Sequence, residues 1–231
     1  MIRYVLVRHS RPFLAAMLRA EGLARLSAPL VDALLSLPRA AIMWRMRRAC
    51  AQYRVEQAHD LPLEISALPA PAGMATGHRS PTWLAWLFAH EFDDVPSRQT
   101  RLLVVRERRD GAVLGHVLVK AQFFERATQR GIRDVTIGSV QDWLSLNPER
   151  LSDATLVWLG IGAALELGTD AVEVCTADAA LGRILRGAGL VRLGALDFVW
   201  RAAPGTALAA RAWRDPARWR LRPAESDNFF T

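Results

Sequence analysis

Two cysteines, Cys50 and Cys175, in 231 residues are too few for a disulfide framework or a four-cysteine zinc site. With no secretory context both read as reduced thiols, and the expected location is cytoplasmic. Histidine is sparse and scattered, at His9, His59, His78, His90 and His116, so no metal-ligand spacing forms. The chain has no G-x-S-x-G elbow, no P-loop and no H-E-x-x-H. Long apolar runs are missing too. The run that begins at Phe13 is cut by Arg19, far short of the roughly 20 residues a spanning helix needs. No small-residue cleavage site follows a clean apolar stretch, so no signal peptide is expected. Lysine is nearly absent, with Lys120 alone among 30 basic residues.

Hydrophobic residues make up 51% and charged residues 23% of the chain, which excludes disordered, collagen-like and fibrous classes. A net charge of +7 would suit nucleic acid or an anionic surface. That charge is carried by arginine in an Ala- and Leu-rich chain, which reads as biased composition with solvated arginines. No motif turns it into a nucleic-acid site. The 8 tryptophans fit core positions better than base-stacking ones.

Along the chain, residues 1–7 are short, apolar and β-branched and predict a strand. From Pro12 to Ala51 leucines recur at three- and four-residue spacing, and Pro29 and Pro38 predict three short helices. Arg39, Arg45, Arg47 and Arg48 make the last of these basic and amphipathic. Such a helix suits either its own domain or anionic lipid. Prolines and glycines between Leu61 and His78 read as a linker, dividing the chain into 1–78 and 79–231.

The second segment reads as mixed α/β. Ser80 and Pro81 open a helix over 81–88, and strands are expected at 102–105 and 113–119 around an Asp110-Gly111 turn. A further strand at 133–140 leads into a polar stretch from Gln141 to Asn147. A helix over 154–167 stops at Gly168, a strand follows at 171–174, and a helix at 177–188 stops at Gly189. Further strands are expected at 196–200 and 219–221.

These pieces, in this order, resemble the GNAT acyltransferase superfamily from about Arg79 to Phe230. The resemblance is carried by Trp83-Leu84-Ala85-Trp86-Leu87-Phe88, then by the hairpin Leu103-Val104-Val105-Arg106, Asp110-Gly111 and Val113-Leu114-Gly115-His116-Val117. It continues in Ala163-Ala164-Leu165-Glu166-Leu167-Gly168 and Leu185-Arg186-Gly187-Ala188-Gly189-Leu190, and ends in Trp219-Arg220-Leu221-Arg222. It implies a GNAT-like mixed sheet flanked by helices, here preceded by a helical N-terminal segment. It also implies transfer of an acyl group, usually acetyl, from acetyl-CoA or another acyl-CoA to an amine.

By that resemblance, the candidate bases are Glu173, Asp134 and His116, and the backbone of Ile137, Gly138, Ser139, Val140, Ser152 and Asp153 would face the cofactor. Two departures stand out. The family's glycine-rich pyrophosphate loop should precede Ala154, yet residues 144–153 hold no glycine, and Val157 stands where the family has Arg or Gln. The helix at 177–188 also lacks the tyrosine often used as acid. Gly160 and Gly162, inside the expected helix at about 1 kcal/mol each, predict close helix–sheet contact. A non-catalytic GNAT-like scaffold that has lost CoA is the alternative reading. In tandem GNAT proteins a strand like residues 1–8 closes a first domain, so the N-terminal strand is expected to be the remnant of a missing or partner domain.

Overall fold

The computed structural model describes residues 1–59, 62, 75–76, 98–127, 132–195 and 219–220. The expected helix over 81–88, the strand over 196–200 and most of the 61–78 linker lie outside them.

The chain opens with β1 (Ile2–Val7), α1 (Arg11–Leu18) and α2 (Glu21–Cys50). Next come β2 (Tyr53–Ala58), the short β3 (Ala75–Thr76), β4 (Arg98–Glu107), β5 (Val113–Ala127) and β6 (Ile132–Ser145). The remaining elements are α3 (Asp153–Glu166), β7 (Ala171–Thr176), α4 (Ala179–Gly187), β8 (Val191–Ala195) and β9 (Trp219–Arg220). Seven strands form one sheet in the order β2-β4-β5-β6-β7-β1-β8, while β3 and β9 pair separately. Within the sheet only β6 and β7 are parallel, and α3 is the crossover between them, as a parallel pair requires.

One face of this mixed α/β sheet carries the apolar core. Tyr4, Leu6, Val117, Val119, Val140, Trp143, Val172 and Val174 pack there against Ile42 and Met46 of α2. Leu156, Val157 and Ile161 of α3, with Leu181 and Leu185 of α4, complete the layer. A Cβ at Gly160 would come within 2.9 Å of Val117 and Val140, so this mid-helix glycine buys close approach of α3 to the sheet. Gly182 does the same for α4, where a Cβ would overlap the Tyr4 hydroxyl.

The structure departs from the sequence expectations at several points. The N-terminal strand is interior: β1 pairs antiparallel with β7 on one side and β8 on the other, and is not a strand of a separate sheet. Residues before 78 thus supply β1 and β2 to the sheet built by the strands after 98, and a boundary at 78 does not divide it.

The helical stretch after β1 breaks at Arg19, which adopts a left-handed φ of 52°, and not at a proline. Pro29 lies within α2, and the helix bends by 42° between Glu21–Ser36 and Arg39–Arg48, around Pro38, which has no amide hydrogen to donate. No single helix is long and apolar enough to cross a membrane among the described residues.

The polar stretch after Val140 is not a loop. β6 runs on to Ser145, because Gln141 and Asp142 find partners inside the protein.

Candidate functional site

The second face of the sheet is polar where the first is apolar. Registers place His116, Leu118 and Lys120 of β5 opposite Leu144, Asp142 and Ser139 of β6. Ser139 in turn stands opposite Glu173 of β7, and Glu173 opposite Val5 of β1. Side chains alternate across a strand, so these groups share one face. His116, Lys120, Ser139, Gln141, Asp142 and Glu173 are all buried. Buried polar groups hold their place only when satisfied, and this row is largely paired.

The innermost pair is His116 Nε2 with Asp142 Oδ2 at 2.9 Å, both side chains no more than 2% exposed. A carboxylate facing Nε2 takes its N–H, which leaves Nδ1 as the lone-pair atom of the ring. That Nδ1 is buried and has no hydrogen-bond partner among the described residues. Ser139 Oγ accepts a hydrogen bond from Gln141 Nε2. Lys120 sits between Thr100 of β4 and Ser139 in register. Glu173 is held by Arg3 Nε at 2.9 Å. Next to it, burial and then the Glu173 carboxylate push the Cys175 thiol far above its ordinary range, which makes it a core group and not a nucleophile.

A bulge shapes this region. The β5–β6 register shifts between Leu118 and Val119, leaving Gln141 as the extra residue. The parallel β6–β7 ladder runs from Ile137↔Ala171 to Val140↔Val174 and stops there, although β6 continues to Ser145 and β7 to Thr176. The two strands therefore part company at the bulge, beside Asp142 and ahead of α3.

Of the expected bases, His116 and Glu173 share the buried face. Asp134 does not join them. It is exposed, at a left-handed φ of 49°, and lies eight residues before Asp142, roughly 25 Å along the strand. Ile137, Gly138, Ser139 and Val140 form an interior stretch of β6 laddered to both β5 and β7. Gly138 there faces Ala164 and Thr169, and a Cβ on it would come within 2.8 Å of Ala164.

Ser152 is the N-cap of α3 and accepts from the Thr155 amide, with Asp153 in the first turn. The loop before it is closed on itself. Asn147 Oδ1 accepts from the amides of Glu149 and Arg150, and the Asn147 carbonyl accepts from Leu151. Tyr53 also donates to the Arg150 carbonyl at 2.6 Å.

Residue-by-residue reading missed Asp142, Gln141, Lys120 and Arg3. Alternation alone could not find Asp142: continued past Val140 it puts Asp142 on the core face, and only the bulge at Gln141 turns it toward His116 and leaves Trp143 in the core. Among the described residues no group of three or more His, Cys, Asp or Glu side chains is placed to hold a metal ion. A cavity of about 870 Å³ lies on the opposite, helical side of the sheet, between α2, α3, β2 and β4, apart from the His116–Asp142 pair.

No protein-family model, no curated protein and no solved structure matches this chain.

Proposed function

We propose that this chain is a GNAT-like N-acyltransferase that moves an acyl group, acetyl in the simplest case, from acyl-CoA to an amine. The observation that carries this reading is the parting of the parallel strands β6 and β7 after Val140 and Val174, directly at the Gln141 bulge. A parallel pair that opens toward the N-terminus of its crossover helix makes a cleft between strand ends, the favoured ligand position in open α/β sheets. The GNAT resemblance places the acyl donor in such a cleft.

The residues meet the cofactor unevenly. On the strand side β6 loses its β7 partner past Val140, and on this reading the acyl chain would lie between the parted strands. On the phosphate side the fit fails. The loop amides of Glu149, Arg150 and Leu151 are committed to Asn147, and no glycine allows closer approach. A pyrophosphate would therefore rest on side chains and not in a backbone cradle. Bound acyl-CoA supplies a thioester-activated acyl group, and the chain supplies proton handling and exclusion of water. His116 is the base on this reading. Asp142 orients the ring from Nε2, and the free Nδ1 lone pair takes the proton from the incoming amine nitrogen. Glu173, paired with Arg3, holds the sheet face on this reading.

The self-bonded loop favours the second reading, a GNAT-like scaffold without CoA. Thermal shift with acetyl-CoA and with desulfo-CoA separates the two, because stabilisation follows RT ln(1 + [L]/Kd). A rise in Tm with both ligands, and acetylation of a broad amine panel lost in His116→Gln, supports the enzyme. No shift at millimolar CoA rejects it in favour of the scaffold.

A further inference from the structure

α2 is built the wrong way round for a helix that only packs on its own domain. Its buried contacts are small in the first half, Ala24 and Ala28, and become Ile42 and Met46 in the second. Its large side chains point outward: Leu23 is 59% exposed, Leu26 80%, Leu30 66% and Leu34 70%. Three- and four-residue spacing sets these leucines on one side of the helix. Since roughly 18 residues complete five turns, Trp44 and Arg48 continue the side of Leu26 and Leu30 beyond the bend. Trp44 is 60% exposed, and the Arg48 guanidinium lies 5.5 Å from its ring centre. Met17 at the end of α1 is 71% exposed as well. A soluble monomer rarely leaves such a stripe uncovered.

Charge selects what covers it. In the second half of α2, Arg47 and Arg48 stand exposed while Arg39 is paired with Asp32, and residues 39–50 carry no acidic residue within a chain of net charge +7. At the other end of the stripe Arg19 stands exposed, and Glu21 is outnumbered by Arg11 and Arg25, which both pair with it. A second copy would bring like charges together, whereas an anionic lipid surface receives leucines into its acyl boundary and arginines at its headgroups. Trp44 beside Arg48 suits the level between the two. No single helix is long and apolar enough to cross a membrane among the described residues, and the two halves of α2 reach that hydropathy only when taken together across the 42° bend.

We infer that the outward face of α2 is a membrane-surface docking site for anionic lipid, independent of the acyltransferase reading. The test is co-sedimentation of the full chain with vesicles of phosphatidylcholine alone and of phosphatidylcholine mixed with phosphatidylglycerol. The expected result is pelleting with the anionic vesicles, weakened by salt and reduced more than about tenfold in a Leu26→Glu, Leu30→Glu variant. Leu26→Phe with Leu30→Phe retains it. All four substitutions sit on exposed positions, and an unchanged Tm confirms that the variants fold. Absence of pelleting with anionic vesicles overturns the inference, as does equal pelleting of the Glu variant. A dimer in light scattering that the Glu variant disperses, without vesicle binding, reassigns the face to a second copy and overturns it too.

Discussion

His116 and Asp142 meet at 2.9 Å across the β5–β6 ladder, with neither side chain more than 2% exposed. The register makes the meeting diagonal, since His116 stands opposite Leu144 and Asp142 opposite Leu118. A buried imidazole with one nitrogen held and the other free is a costly arrangement in an ordinary core, where an unmet polar atom loses its hydration with no return.

Asp142→Ala leaves the buried Nε2 donor without an acceptor and is expected to lower unfolding stability by about 1–3 kcal/mol. Asp142→Asn keeps an oxygen facing Nε2 and costs less, yet on the proposed reading still lowers acyl transfer by about 10²–10⁴-fold. Urea unfolding and steady-state rates on the same variants separate the two effects. Wild-type turnover in Asp142→Asn would remove the pair from the chemistry.

Gly160 and Gly162 lie two residues apart in α3 and should respond in opposite directions. Gly160→Ala drives a methyl against Val117 and Val140 at 2.9 Å, and overpacking there costs about 1–3 kcal/mol. Gly162→Ala meets only the terminal methyl of Met46 at 3.0 Å, which can turn aside, so helix propensity wins and stability rises by up to about 1 kcal/mol. Midpoints of urea denaturation check both signs.

The contact of Gly182 with Tyr4 ties α4 to β1. Gly182→Ala is expected to destabilise by about 1–3 kcal/mol, because its methyl overlaps the Tyr4 hydroxyl. In a Tyr4→Phe background the same change costs less, since the hydroxyl is gone. A double-mutant cycle with no coupling would refute the interior placement of β1.

Burial pushes the Cys50 thiol up to about 11 from an ordinary value near 9. At pH 8 its thiolate is scarce, so thiol reagents should react about a hundredfold more slowly than with a free cysteine. A raised folded-state value stabilises fully below the unfolded value. That contribution is lost as pH climbs from about 9 through about 11. Labelling rates followed from pH 7 to pH 10 test the first point, and urea midpoints from pH 8 to pH 11 with Cys50→Ser as control test the second.

Much of the local architecture was legible in the residues. The Ser152 cap of α3, the Gly168 and Gly189 stops and the turn at Gly111 follow from backbone chemistry that acts over a few neighbours. The close-contact role of Gly160 was legible for the same reason: a costly residue inside a helix implies a neighbour. The candidate site was legible only in part. His116 and Glu173 stood out as polar groups in apolar strands, but Asp142 read as the start of a loop, because its partner lies 26 residues earlier in the chain.

Sequence alone therefore determined the α/β class, the extents of α3, β7 and α4 to within a few residues, and the missing glycines ahead of α3. Those depend on local propensity, capping and spacing. Tertiary structure decided that β1 threads between β7 and β8, that β6 continues through Gln141 and Asp142, and that α2 turns its leucines outward. Each of these depends on pairing between segments far apart in the chain, where the partner and not the residue's own preference sets the outcome.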